Sequence, residues 1–286
     1  MSQPRVAGAW VTGLAVLALV SCQSSGPTVR MGTPEWYWSA AREQYAAGDF
    51  AKTQEHLEKI MDGTSPYRAR ASIWHLVLLA GMARGHRELA DAYEAGAPGA
   101  KTNTAEFRRS VNDQRRTSRQ YCIGLAEEVG GFLKDHAKDE KISLEFTFPA
   151  GGATEPPSLL NIRKGLLPPE ADRANVHRQM IARGVVLEAA DIVGEDTAKA
   201  AELFKTLPVQ VPQAVFLHGL ADSMVDQAAL FGRKKLQEPD KQKILLELAG
   251  NCAKAAADSA ADDSLKKKIK DLQARIEKEQ KNVGKV

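Results

Sequence analysis

Three thiols and six imidazoles are the side chains of this 286-residue chain best suited to chemistry. Cys22 closes the run Leu19-Val20-Ser21-Cys22, where an apolar stretch gives way to Gln23-Ser24-Ser25-Gly26-Pro27. Cys122 lies at helical spacing from Leu125 and Val129, and Cys252 from Leu248, Ala249 and Ala256. In an oxidising compartment these two can form one bridge, or they can pack as separate buried thiols; spacing leaves both open. The histidines, His56, His75, His86, His136, His177 and His218, have no metal-ligand spacing, and the nucleophile-elbow, phosphate-loop, H-E-x-x-H and C-x-x-C patterns are all absent. No catalytic residue, metal site or cofactor is assigned. An enzyme would need Asp, Glu or His groups converging from distant positions.

The segment ahead of Cys22 explains why a thiol stands there. Arg5 and the amino terminus supply positive charge, and the apolar core from Ala7 to Val20 is too short for the roughly 20 residues of a spanning helix, so residues 1–21 read as an export signal. Leu19, Val20, Ser21 and Cys22 resemble the lipobox of bacterial lipoproteins position by position. The resemblance implies diacylglyceryl transfer to the Cys22 sulfur, cleavage after Ser21 and acylation of the new amino group. Several acyl chains, each contributing about 0.8 kcal/mol per buried methylene, would hold the protein on a bilayer. Gln23 in place of Asp after the cysteine resembles outer-membrane rather than inner-membrane sorting, on the periplasmic side.

Composition fits an exported globular protein: 43% hydrophobic and 26% charged residues, with formal charge +3 that falls to +2 when Arg5 leaves with the signal. That balance excludes a dedicated nucleic-acid binder, which would carry a clear basic excess.

Residues 22–33 read as a tether, and Thr33-Pro34-Glu35 as the start of a helix. Helical patterns at Trp36–Ala47 and Phe50–Met61, separated by Gly48-Asp49 and closed by Asp62-Gly63-Thr64-Ser65-Pro66, resemble a tetratricopeptide repeat through Tyr37, Ala40, Ala41, Gly48, Asp49, Phe50 and Leu57. A second unit, with Trp74 to Ala83 as its first helix, a turn at Gly85 and Ala90 in its second, departs from the pattern at Leu78, Arg87 and Glu94. If these pairs stack as such repeats do, Trp38, Arg42, Tyr45, His75, Leu79 and Met82 face a groove suited to a peptide or small ligand; the alternative is that the aromatics fill the core.

After the break at Ala95–Ala100 a helix is expected from Asn103 or Thr104 to about Lys134. Its Arg108, Arg109, Arg115, Arg116 and Arg119 read as a solvated face offset by Glu106, Asp113, Glu127 and Glu128, with anionic headgroups or an acidic partner as the alternative. Ile142 to Phe148 alternates apolar and polar residues and predicts a strand, paired with Val209-Gln210-Val211 or with another chain. A Pro/Gly-rich linker closes 141–169. Helices follow at 170–193, 196–207, 212–236 and 240–257, and Leu265, Ile269, Leu272 and Ile276 mark a heptad seam in 262–283 that either docks on the fold or supports weak self-association.

The expected fold is all-α: a helical-hairpin, tetratricopeptide-like bundle or short solenoid over 34–140, a C-terminal helical region over 170–286, and one minor β element near 142–148. The expected function is that of a membrane-anchored scaffold that binds an envelope protein. A small-molecule-binding accessory of a transport system is the alternative.

Overall fold

The computed structural model describes residues 30–149 and 153–284. Within them ten α-helices and one two-stranded antiparallel ribbon form a mainly α fold. The organising element is α3 (Arg68–Gly96), one unbroken helix of 29 residues. From Ile73 to Ala83 every side chain is buried, and a helix that is apolar all round belongs at the centre of a packed body. Around it lie α2 (Phe50–Met61), α4 (Thr104–Asp135), α5 (Pro157–Arg163), α6 (Glu170–Asp191) and α8 (Gln213–Ala228). The hairpin partner of α2, α1 (Pro34–Ala46), is capped by the Thr33 hydroxyl and stands at the edge.

The turn expected at Gly85 does not exist, because Gly85 and Gly81 are where α6 crosses α3. A Cβ at Gly81 would lie 2.5 Å from Val185 Cα, and one at Gly85 2.7 Å from Ile181 Cα and from the Met180 carbonyl oxygen. Gly184 answers from α6, facing the Gly81 carbonyl. The G-x-x-x-G spacing, one helical turn, brings two backbones into contact instead of reversing the chain. The second repeat-like unit is thus one half of a long helix.

Strands β1 (Lys141–Leu144) and β2 (Val209–Pro212) pair antiparallel, with Ile142 opposite Val211 and Leu144 opposite Val209. Of the two pairings that the alternation left open, with Val209-Gln210-Val211 or with another chain, the ribbon takes the internal one. β1 is shorter than expected; Phe146 is nevertheless fully buried, stacked on Trp74. The expected linker contains α5, whose Leu159 and Ile162 enter a small second core with Leu89, Tyr93, Phe107 and Met180.

Past α7 (Thr197–Leu203), α8 runs against α9 (Pro239–Ser259), and α10 (Asp263–Asn282) lies on α9. Ile269, Leu272 and Ile276 are buried there, so these seam residues dock on the fold. The main core gathers buried side chains from both ends of the described chain, from Trp38 to Ile276. The N- and C-terminal helical regions therefore share one interior.

Candidate functional site

The six residues expected along a groove are placed differently. Trp38, Tyr45, His75, Leu79 and Met82 are buried, and Arg42 alone is exposed. Two segments fill the space. On one side Tyr67 stacks on Trp38 at 5.4 Å, while Phe146, carried in by the chain after β1, meets Trp74 at 5.8 Å and the edge of Tyr45 at 6.1 Å. On the other, α4 lies along α3, with Gly124 admitting the Leu79 side chain and Glu128 reaching His75. A repeat hairpin exposes its concave face only if nothing folds back over it. Here the rest of the chain does.

His75 is held between helices. Its Nδ1 is 2.5 Å from Glu128 Oε1 on α4, and its Nε2 is 3.7 Å from Glu58 Oε1 on α2. Neither carboxylate could have been paired with it from sequence, since Glu128 lies 53 positions away. Beside this clamp opens a cleft of about 500 Å³, walled by the α2–α3 turn (Met61, Ser65, Pro66, Arg68) and by the last turns of α4 (Glu128, Gly131, Phe132, Asp135). Glu127, Glu128 and Asp135 bring three negative charges to it against the one positive charge of Arg68, with His136 at the rim held by Asp139 at 2.6 Å. Among the described residues Glu127 and Asp135 have no ion-pair partner, and Glu128 Oε2 is buried without a hydrogen-bond donor. A desolvated carboxylate oxygen of this kind is costly unless a donor reaches it.

A second cleft, about 400 Å³, lies where α6, α8 and the start of α10 meet. Asp191, Glu195, His218, Asp222, Asp262 and Lys268 line it. The sequence left His218 without a carboxylate; Asp222 stands one helical turn further along α8. Burial holds the His218 imidazole below its ordinary pKa, while burial and the neighbouring Asp226 raise Asp222. The acids here are already engaged: Asp191 with Arg84 at 2.5 Å, Asp222 with Arg275 at 2.9 Å, Glu195 with Lys199 at 3.3 Å, and Asp262 with the backbone N–H of Leu265 at 2.8 Å.

Three residues before Asp191 on α6 stands a carboxyl group that the sequence did not single out. Glu188 of α6 is fully buried, and its Oε2 accepts a hydrogen bond from the Ser223 hydroxyl at 2.9 Å. Loss of hydration pushes its pKa up to about 8, although Arg84 pulls the other way. An acid inside Val185-Val186-Leu187-Glu188-Ala189-Ala190 was the available signal. Gln227 ties the same layer together, donating to the Ala80 carbonyl and to Ser223.

Cys122 and Cys252 are free, and both are buried. The bridge considered from sequence is not formed; burial pushes each thiol up to about 12. The expected basic face of α4 is divided: Arg115 pairs with Glu94 at 2.7 Å, Arg119 with Glu238 at 2.7 Å and the exposed Arg116 with Asp113 at 3.1 Å, while Arg108 and Arg109 face solvent. Among the described residues no group of three or more His, Cys, Asp or Glu side chains could hold a metal ion. No helix among them is long and apolar enough to cross a membrane. Cys22, the expected lipid acceptor, lies outside the described residues. Compared with models of protein families, with curated proteins and with solved structures, the chain finds no match in any of the three.

Proposed function

We propose that the chain is a lipid-anchored binding module of the cell envelope, held by Cys22 at the periplasmic side of the outer membrane. Its acidic cleft between the α2–α3 turn and the end of α4 receives a basic segment of an envelope protein. One observation carries the second part: the cleft sets three carboxylates against one arginine, and one carboxylate oxygen is buried with no donor to satisfy it. A Lys or Arg side chain supplies the missing charge, and its N–H groups suit the open carboxylates of Glu127 and Asp135 beside Glu128. Isolated pairs at an exposed surface are worth little, but partial burial of Glu128 against His75 removes part of the competing hydration. A binding module rather than a carrier of small molecules is favoured by the interior, where the aromatic side chains pack on one another.

The test uses a photo-crosslinking residue in place of Ser72, which lines the cleft, in cells expressing the full chain. The expected product is a protein adduct whose crosslinked peptide is rich in Lys or Arg, lost when Glu127 and Asp135 are both changed to Lys. Crosslinks that survive this charge reversal, or yield no protein, overturn the cleft's role. The anchor is tested separately: Cys22→Ala should abolish labelling by a palmitate analogue and release the chain from membranes.

A further inference from the structure

The described body begins at Arg30, eight positions after Cys22. Whatever conformation those residues adopt, covalent geometry limits their reach to about 28 Å, at 3.3–3.6 Å per residue. A body of this size is roughly 45 Å across, from a radius of gyration near 18 Å. If Cys22 carries lipid, a tether shorter than the body's width keeps the far side of the body from the bilayer and leaves the start of α1, where the tether joins, within reach of it.

This surface is unusual in the molecule. Met31 is 77% exposed, the most exposed of the large apolar side chains among the described residues. Trp36 is only half-buried and lies outside the main core, against the rings of Tyr37 at 5.1 Å and His56 at 5.6 Å. Trp38 and Trp74, by contrast, are core residues. Indole and phenol rings with one apolar side and one polar tip are the groups that settle at the boundary between headgroups and acyl chains. Charge does not select the surface, because Arg30, Lys52 and Lys59 are matched by Glu35, Asp49 and Glu55.

We infer that Met31 and Trp36 form a membrane-contacting face that lies in the interfacial layer of the bilayer anchoring Cys22. The inference rests on the lipid-anchor reading and adds an orientation to it: α1 lies against the membrane, so the chain does not swing freely on its anchor. Contact is made by an indole ring and a thioether, and it should therefore resist salt.

The experiment takes the lipidated chain into phosphatidylcholine vesicles, with and without bromine atoms on the upper acyl chain, and floats them on a density gradient. Bromine quenches indoles that reach the acyl boundary. After loss of residues 1–21 the tryptophans are Trp36, Trp38 and Trp74, of which the last two are buried. Quenching of part of the emission is expected, unchanged by salt and lost in Trp36→Phe; Met31→Ser should weaken it in a chain that keeps all three tryptophans. Failure to float overturns the lipid anchor itself. Flotation without quenching, or quenching that persists in Trp36→Phe, overturns the membrane face and leaves the anchor standing.

Discussion

The crossing of α3 and α6 makes a prediction whose sign, not only its size, separates two accounts of Gly85. In the interior of an ordinary helix Gly→Ala stabilises by roughly 0.5–1 kcal/mol, because alanine loses less conformational freedom on folding. Gly130 of α4 is such a site, since a Cβ there meets nothing within 4 Å, and Gly130→Ala should gain that amount. At Gly85 the same methyl would stand 2.7 Å from Ile181 Cα and 2.7 Å from the Met180 carbonyl oxygen. Both are backbone atoms on a packed helix, so no rotamer change can make room and the two helices must separate. Forcing a methylene-sized group into a filled interior costs about 1–3 kcal/mol, which outweighs the gain in helix propensity. For a chain of this length that is a fall of about 2–4 °C in Tm per kcal/mol. Urea unfolding followed by far-ultraviolet circular dichroism, on the chain from residue 22 with Cys22→Ser, would compare the two variants. A Gly85→Ala protein as stable as Gly130→Ala would refute the close crossing.

The remaining predictions concern buried groups. Glu188 ionises at about 8 in the fold against an ordinary value near 4.5, so the folded state keeps a proton that the unfolded chain has lost. Its contribution is intact below pH 4.5, declines as pH rises toward 8 and is flat above that. Glu188→Gln should therefore gain on the native chain between pH 5 and 8, by an amount on the order of 4 kcal/mol at most from 1.36 kcal/mol per unit; parallel stability curves for the two proteins would refute the buried acid. Cys122 and Cys252 should resist an aromatic disulfide reagent in the native state and both react after unfolding, with dithiothreitol leaving the Tm unchanged. Loss of stability on reduction would mean that they are bridged.

Much of the architecture is written locally. Asp49 and Asp196 cap α2 and α7 through their own side chains, and the alternation of Ile142-Ser143-Leu144 matches Val209-Gln210-Val211 across the ribbon. What escaped the sequence is what depends on distant segments. Gly85 has the same composition whether it ends a helix or admits another one; the distinguishing mark was the apolar run Ile73 to Ala83, too long for one face of an outer helix. Trp38 and Tyr45 are as suited to a groove as to a core, and their fate was set by Tyr67 and Phe146, neither of which belongs to the repeat-like pattern. The partners of His75 come from α2 and α4, and no spacing rule reaches across three helices.

The two proposed surfaces constrain each other. α1 and α2 form a hairpin, so the ring of Trp36 at the start of α1 meets His56 in the second half of α2. From His56 the helix continues five residues to Met61, a rise of about 7.5 Å, and Met61 already walls the acidic cleft. If Trp36 rests in the interfacial layer, the cleft opens within a few residues' length of the headgroups. The basic segment it receives would then belong to the part of a partner nearest the membrane, where Lys and Arg otherwise associate with anionic lipid. The carboxylates of Glu127, Glu128 and Asp135 would compete with headgroups for those same cations. Binding at the cleft should accordingly weaken in vesicles enriched in anionic lipid, while the ring-mediated contact of Trp36 stays unchanged, because its surroundings are balanced in charge.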